Sequence, residues 1–196
     1  MLYSEPVFDH NPHAPSCHAA TLVEAPDGRL LCAWFAGTHE GHPDVAIWMA
    51  VREDGRWSQP VKIVDEPEIP LWNPVLFRDA SDAVWLFYKI GPDVPSWTGA
   101  YVRSFNGGRT WTSPTLLPAG LLGPAKNKPI ALSNGEILCG TSSETWRSWS
   151  CWVEIITDAG RMWRKFGPIV APGADEDSRR QMGRQVVSAT WDAVSK

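Results

Sequence analysis

The chain has 196 residues, which is enough for one domain with its own hydrophobic core. Its net charge of −4 provides no basic field for nucleic acid, and no apolar run approaches the roughly 20 residues that cross a bilayer. Twelve tryptophans, seventeen prolines and sixteen glycines favour many short strands joined by turns. We therefore expect an all-β protein without nucleic-acid or membrane partners.

The first 65 residues predict a lead-in followed by four strands. Residues 1–15 contain three prolines and predict an extended segment. The pattern after it alternates apolar runs with turns rich in glycine, proline and aspartate. The polar segment 37–44 separates the second strand from the third. The strands of this first group are predicted at 18–24, 30–35, 45–51 and 61–64.

The same plan recurs twice more along the chain. The run 84–90 is apolar almost throughout, which is typical of a strand covered on both faces of its sheet. Asn134-Gly135 is a strong signal for a hairpin turn. The second group of strands is predicted at 75–77, 84–90 and 99–104, and the third at 129–132, 136–140 and 151–156.

Each group of strands carries a glycine turn followed by a tryptophan. Residues 104–111 read Ser-Phe-Asn-Gly-Gly-Arg-Thr-Trp, and weaker copies end at Trp57 and Trp163. The tryptophans Trp57, Trp111 and Trp163 are 54 and 52 residues apart. A repeat of roughly 40 to 50 residues with such a turn is typical of β-propeller blades.

The turn at 104–111 resembles the Asp-box, Ser-x-Asp-x-Gly-x-Thr-Trp, of sialidases and related BNR-repeat propellers, with Asn106 in place of Asp. The other two copies keep the Asp, Gly and Trp positions. This resemblance covers residues 15–168. It implies a sialidase-like β-propeller of about three four-stranded blades at 16–170, half of a six-bladed ring. It also implies that the Asp-boxes are structural and lie away from the active site.

The last segment, 171–196, has no fourth Asp-box and begins with a charged stretch. It predicts a short helix around 178–187 or a disordered tail. A propeller closes its ring with about four to eight blades. Three blades therefore predict a truncated or divergent gene product, one partner of a split assembly or a smaller stack of sheets. A dimer or a complementing chain could close the ring, because uncovered blade edges favour association.

The predicted strand order sorts the loops onto two faces of the propeller. The Asp-box turns lie on one face, and the longer, more aromatic and more charged loops lie on the other. Functional residues favour loops on a rigid scaffold, so we place the site, with a glycan as its ligand, on this second face. Its loops are 37–44, 65–74, 91–98, 118–129 and 142–149.

Loop 37–44 is the densest in candidate groups, with His39, Glu40, His42 and Asp44. It resembles the sialidase loop that carries the acid/base Asp. Either Glu40 or Asp44 could therefore protonate a leaving glycosidic oxygen if burial raises its pKa. A solvated polar loop is an equal alternative. The spacing of its histidines and carboxylates matches no metal-binding motif, and we expect no metal and no cofactor.

His18 stands at the head of the first inner strand. By the resemblance, a sialidase has there the first of three arginines that clamp the sugar carboxylate. A neutral histidine is a poor carboxylate clamp, but it can donate or accept a proton. The departure argues against sialic acid as the substrate. The alternative is a hydrogen-bonded interior histidine.

Further binding candidates recur where the inner strands of blades two and three begin. Amides, cations, a carboxylate and aromatic rings together suit a sugar, whose ring stacks and whose hydroxyls need polar partners. The alternative is that the tryptophans cover blade edges and the lysines are solvated. The predicted substrate-binding residues are His39, Trp72, Asn73, Lys89, Lys126, Asn127, Lys128, Glu144 and Arg147, with Trp146 as a further stacking surface.

Two functions remain open from the sequence. In sialidases the tyrosine nucleophile, its glutamate partner and the other two arginines come from later blades, which have no counterpart here. The chain is therefore expected to be either a sialidase-like glycoside hydrolase cut short, or a non-catalytic propeller that binds carbohydrate or protein. A purely structural fragment without function is the third alternative.

The four cysteines (Cys17, Cys32, Cys139 and Cys151) lack metal spacing and are expected to be buried free thiols. The N-terminal residues show no secretory signal, so the expected location is the cytoplasm.

Overall fold

The structure is a computed structural model that describes residues 4–9, 14–145 and 147–169. Three parts of the sequence lie outside these residues. They are residues 1–3 and 10–13 of the lead-in, Trp146, and residues 170–196, which include the tail 171–196 with its suggested helix. The described residues form antiparallel strands in three sheets. The bounds are β1 Ser16–Glu24, β2 Leu30–Gly37, β3 Ala46–Glu53, β4 Arg56–Trp57, β5 Val61–Val64, β6 Leu71–Arg78, β7 Val84–Ile90, β8 Thr98–Ser104, β9 Thr115–Leu116, β10 Ile130–Ala131, β11 Ile137–Glu144, β12 Trp149–Thr157 and β13 Met162–Ile169.

Each sheet is one blade whose strands follow one another in chain order. Blade two has the order β6-β7-β8-β9 and blade three the order β10-β11-β12-β13. In blade one, β4 and β5 both pair with β3 and together take the place of a single outer strand. The predicted all-β fold with three propeller blades is confirmed.

Two inner strands share a β-bulge near their beginning. Ala19 in β1 and Asn73 in β6 have φ angles of 49° and 43°, and the strand register shifts at both places. The bulge leaves Pro74, which has no N–H to donate, outside the ladder. Strand β6 therefore begins at Leu71, earlier than the sequence predicted.

Blade three differs from its prediction at the loop-rich end. Strand β11 continues to Glu144 and β12 begins at Trp149, so the predicted loop 142–149 shrinks to 145–148. The reason is a complete ladder of pairs, from Ile137 opposite Ile156 to Glu144 opposite Trp149. The serine and threonine residues at 141–143 favoured a loop in the sequence, but their pairing with β12 extends the strand to Glu144.

The core lies between neighbouring blades. One cluster joins blades one and two and includes Phe35, Leu76 and Tyr88, and a second joins blades two and three around Phe87 and Ile156. Every residue from Val84 to Tyr88 is 0% exposed. The prediction that this strand is covered on both faces is confirmed, because its two faces serve the two clusters.

The lead-in covers the outer face of blade one. The ring of Phe8 stacks on Trp34 with 5.0 Å between centroids, in a cluster of buried and partly buried apolar residues. The carboxylate of Glu5 accepts hydrogen bonds from the side chains of Arg52 and Trp57. Residues 4–9 are thus part of the packed structure.

The Asp-box at 104–111 is held by its own side chains. The hydroxyl of Ser104 accepts a hydrogen bond from the N–H of Gly108 at 2.8 Å, and the Asn106 amide oxygen accepts from the N–H of Thr110 at 2.9 Å. Trp111 packs against the core between blades one and two. These contacts fit the structural role that was expected for the box.

Three of the four cysteines are buried and all four are free thiols. Cys17 is exposed, so the expectation of a buried thiol is wrong at that position. Exposed and half-buried residues largely alternate along β1, and Cys17 lies at an exposed position.

Candidate functional site

Trp72 joins two of the loops on the loop-rich face. Its indole N–H donates to the carbonyl of Gly91 at 2.8 Å, and its ring lies 5.6 Å from that of Trp97. A Cβ on Gly41 would lie 3.2 Å from the same ring. Because Trp72 is only 7% exposed, it cannot present a face to a ligand as predicted. Its position holds loops 37–44 and 91–98 together.

Asp44 closes loop 37–44 from within. Its carboxylate accepts from the amide of Thr38 at 3.0 Å and from the Thr38 hydroxyl at 2.6 Å, and it pairs with His42 Nδ1 at 2.7 Å. Partial burial acts to raise the pKa of Asp44, but these bonds outweigh it and lower the pKa to about 2. Asp44 is therefore ionised at neutral pH and unsuited to donate a proton.

Glu40 and His39 are both exposed at the tip of the same loop. His39 Nδ1 lies 3.0 Å from the main-chain oxygen of Glu40, and its ring meets that of His42 edge-on at 4.9 Å. Among the described residues, none of the hydrogen bonds found involves the Glu40 carboxyl group. Of the two predicted acids, Glu40 is thus the one whose side chain is available.

His18 is half-buried at the beginning of β1, where the sequence placed it. Its ring stacks on Phe35 with 5.2 Å between centroids, and its Nε2 lies 2.8 Å from the hydroxyl of Ser16. One ring face and one nitrogen are therefore occupied by the protein. Nδ1 is the atom that His18 can offer to a ligand.

Lys128 reaches the inner strands of the other two blades. Its ammonium group donates to the carbonyl of Leu76 in β6 at 2.8 Å and lies 3.5 Å from the hydroxyl of Thr21 in β1. Burial lowers the pKa of Lys128 to about 8, although the Cys32 thiol acts in the opposite direction. Lys128 thus lies where the inner strands of the three blades meet.

Lys89 lies inside the protein rather than on the face. It is 1% exposed and donates to the carbonyl of Pro124 at 2.8 Å. Its predicted contact with substrate is not available from this position. Beside Lys128, Lys126 is exposed and Asn127 is half-buried.

Glu144 belongs to a different part of the face. It is the last residue of β11, it is half-buried, and its Oε1 accepts from the Ser142 hydroxyl at 2.8 Å. It lines a cleft of about 370 Å³ between blades two and three. Arg147 is exposed in the neighbouring turn 145–148.

Among the residues that line this cleft, sequence reasoning selected Glu144 and missed the others, including Trp97 and Lys165. Trp97 stood in a loop assigned to the correct face but was not selected. Lys165 lies on the last strand, opposite Glu154. Residues 162–165 read Met-Trp-Arg-Lys, which has no alternation of apolar and polar residues, so the sequence carried no signal for Lys165. Its alternating burial and its partner strand appear only in the folded sheet.

Within residues 4–9, 14–145 and 147–169, no group of three or more His, Cys, Asp or Glu residues is placed to hold a metal ion. In the same part of the chain, no helix is long and apolar enough to cross a membrane.

The BNR repeat-like domain family matches residues 28–189, most of the chain. A search of curated protein sequences finds no match.

Several solved structures share the fold. A protein of unknown function from Dyadobacter fermentans has a TM-score of 0.65 at 16% identity, with 80% of this chain and 56% of that chain covered. The NanB sialidase of Streptococcus pneumoniae has a TM-score of 0.66 at 14% identity, with 87% and 47% covered. The leech intramolecular trans-sialidase has a TM-score of 0.69 at 12% identity, with 88% and 47% covered.

The chain spans about half the length of the solved structures that it matches. The predicted resemblance to sialidases is confirmed at the level of the fold by these likenesses and by the family match. The chain belongs to the BNR repeat-like domain family and has the β-propeller fold of the sialidase superfamily.

Proposed function

We propose that the chain binds a glycan through its loop-rich face, with His18, Asn73 and Lys128 at the centre. The observation that carries this proposal is the reach of Lys128 to Leu76 and Thr21, which brings polar groups of three blades to one place. A sugar needs such a mixture of donors and acceptors on a rigid scaffold.

The comparisons support a glycan as the class of ligand. The leech trans-sialidase was solved with 2,7-anhydro-Neu5Ac, and a Trypanosoma rangeli sialidase, with a TM-score of 0.60, was solved with sialic acid. The replacement of the expected arginine by His18 argues that the sugar differs from the sialic acid of those enzymes. A second copy or another chain is the proposed source of further blades.

If the bound glycan is hydrolysed, Glu40 is the proposed general acid. A general acid must hold a proton and deliver it to the leaving glycosidic oxygen. Asp44 does not fit this role, because Thr38 and His42 stabilise its carboxylate form. In catalysis Asp44 would instead fix the loop that carries Glu40.

A non-catalytic binding propeller is the second candidate function. It is favoured by the environment of Asp44, since the carboxylate at the end of the loop is built to remain ionised. It is also favoured by His18, whose ring is held by Phe35 and Ser16 rather than turned toward an anionic sugar.

Two measurements on one set of proteins separate these functions. Turnover of a panel of fluorogenic α- and β-glycosides is measured for the wild type, Glu40→Gln and Asp44→Asn. Binding of the corresponding oligosaccharides is measured by titration calorimetry. We expect glycan binding by all three proteins, with any turnover reduced at least about 100-fold in Glu40→Gln.

Binding without turnover in any protein would support the non-catalytic propeller. Turnover by Glu40→Gln equal to that of the wild type would remove Glu40 as the general acid. Absence of binding for the whole panel would contradict the proposed function.

A further inference from the structure

The cleft between blades two and three has the size of a binding site. Its volume of about 370 Å³ lies within the roughly 300–1,000 Å³ that is usual for sites of small molecules. It opens between the short 3-10 helix Val94–Ser96 of blade two and the end of β11 in blade three. Its lining includes Val94, Trp97, Leu121, Ser143, Glu144 and Lys165.

Two buried charges fix the segment that lines this cleft. Glu154, which is 0% exposed, accepts from the N–H of Gly123 at 2.7 Å and from that of Leu122 at 3.2 Å. Lys89 donates to the carbonyl of Pro124 at 2.8 Å. Buried charges are expensive unless their hydrogen bonds are satisfied, and here the partners are backbone groups of one segment. The wall of the cleft is therefore rigid before any ligand arrives.

Lys165 extends this arrangement to the surface of the cleft. Its ammonium group donates to the carbonyl of Gly120 at 2.7 Å and lies 3.3 Å from Glu154 Oε1. It also lies 4.8 Å from the centre of the Trp152 ring. The position of this cation is thus set by three partners, and it lines the cleft as a fixed donor.

Trp97 forms an aromatic wall. It is half-buried and packs at 5.6 Å against Trp72, which is itself in the core. Its orientation is therefore constrained by the core on one side, while it lines the cleft on the other. A fixed aromatic surface of this kind suits the apolar face of a sugar ring.

The polar groups around Trp97 match the needs of hydroxyl groups, which donate and accept at once. Glu144 supplies a carboxylate, one oxygen of which is already oriented by the Ser142 hydroxyl. Ser143 and Lys165 supply donors beside it. The charge of Lys165 is already paired with Glu154, and Glu144 adds a negative charge to the cleft, so a neutral ring fits better than an anionic one.

From these features we infer that the cleft binds one neutral saccharide ring, stacked on Trp97 and hydrogen-bonded to Glu144. This ring is a second sugar unit, in a different part of the loop-rich face from the centre formed by His18, Asn73 and Lys128. The inference rests on the proposed function in taking a glycan as the ligand. The location and the neutral character come from the cleft itself.

The test is an NMR titration of the full chain, labelled with ¹⁵N, with lactose and with N-acetyllactosamine. The indole N–H of Trp97 is buried and has no acceptor among the described residues, so its resonance reports a change at the ring rather than a hydrogen bond to the sugar. We expect saturable shifts at Trp97 and at the amides of Gly120 and Leu121. In Glu144→Gln the dissociation constant should rise about tenfold or more. Asp82→Asn, which also replaces a carboxylate by an amide but lies on the Asp-box face, should leave the dissociation constant unchanged.

The direct shifts in the wild type keep the test independent of how well the variants fold. Shifts at His18 and Asn73 with an unresponsive Trp97 would overturn the cleft and leave the proposed function standing. Shifts at Trp97 alone would support the cleft and contradict the proposed centre. If neither disaccharide shifts any residue of the face, or Glu144→Gln binds like the wild type, the inference is wrong.

Discussion

The ammonium group of Lys89, on the second strand of blade two, donates to the main-chain carbonyl of Pro124 at 2.8 Å in the connection to blade three. Lys89 is 1% exposed, so a cation lies inside the interface of two blades. Burial lowers the pKa of Lys89 to about 8, with Glu154 acting in the opposite direction. The interface between these blades should therefore respond to alkaline pH.

The first prediction concerns the pH dependence of stability in Lys89→Met. Because the folded pKa of about 8 is below the ordinary value near 10.4, the unfolded chain binds more protons between these pH values. Lys89 thus makes stability rise with pH in this window. Relative to Lys89→Met, the wild type should gain about 2 kcal/mol of unfolding free energy from pH 7 to 9.5, measured by urea denaturation.

Lys62→Met is the control, because the Lys62 side chain is 41% exposed and pairs with Asp65 at the surface. Its stability curve should run parallel to that of the wild type. The buried cysteine thiols also titrate at alkaline pH. Because they are the same in every protein compared, their contribution to the pH dependence of the unfolding free energy cancels. If the stability of Lys89→Met changed with pH in parallel with that of the wild type, the lowered pKa of Lys89 would be contradicted.

The second prediction concerns the carboxyl group of Asp44. Thr38→Val removes the hydroxyl that donates to Asp44 at 2.6 Å and keeps the shape of the side chain. The pKa of Asp44, about 2 in the wild type, should rise toward its ordinary value. NMR titration of the Asp44 carboxyl carbon measures this directly. Thr115→Val, in strand β9, is the matched control, and an unchanged pKa in Thr38→Val would be the contrary result.

The third prediction concerns the Asp-box. Asn106→Ala removes the oxygen that accepts from Thr110 N–H at 2.9 Å, and should lower the unfolding free energy by about 1–2 kcal/mol. Asn106→Asp restores the residue of the motif and retains that acceptor, so its stability should stay within about 1 kcal/mol of the wild type. Urea denaturation of both variants decides this, with the exposed Gln59→Ala as a control. A larger loss in Asn106→Asp than in Asn106→Ala would contradict the assigned bonds.

The fourth prediction concerns the close approach of Gly99 to the wall of the cleft. A Cβ on Gly99 would lie 2.5 Å from the carbonyl oxygen of Leu122, and backbone cannot easily yield. Gly99→Ala should therefore lower the unfolding free energy by about 1–3 kcal/mol, measured by thermal and urea denaturation. It should also shift the amide resonances of 120–123. Thr98→Ala, at the exposed neighbouring residue of the same strand, is the control. Equal effects of the two changes would mean that the contact is not tight.

Much of the fold could be predicted because the sequence repeats it. The Asp-box sets the blade period, and the apolar run of β7 shows that blade two is covered on both faces. The exact strand ends could not be predicted, since they depend on partners. Strand β11 extends through Ser142 and Ser143 only because β12 lies opposite, and β6 begins early because a bulge accommodates Pro74.

The candidate site could be predicted only as a set of loops. Side-chain chemistry selected Lys89 and Trp72, but burial places both inside the protein. Sequence could not distinguish Glu40 from Asp44, because the difference lies in the bonds that Thr38 and His42 make to one of them. Lys165 lies at the cleft because its strand pairs with the strand that carries Glu154, and this pairing is visible only in the folded sheet.

The central claim, a glycan-binding face opposite the Asp-boxes, is tested most directly by titration calorimetry with 3′-sialyllactose, lactose and N-acetyllactosamine. The proteins are the wild type, His18→Ala on the loop-rich face and Arg109→Ala on the Asp-box face. We predict that the wild type binds at least one of these glycans, that His18→Ala weakens this binding about tenfold or more, and that Arg109→Ala leaves it unchanged. Binding that survives His18→Ala but is lost in Arg109→Ala would contradict the claim.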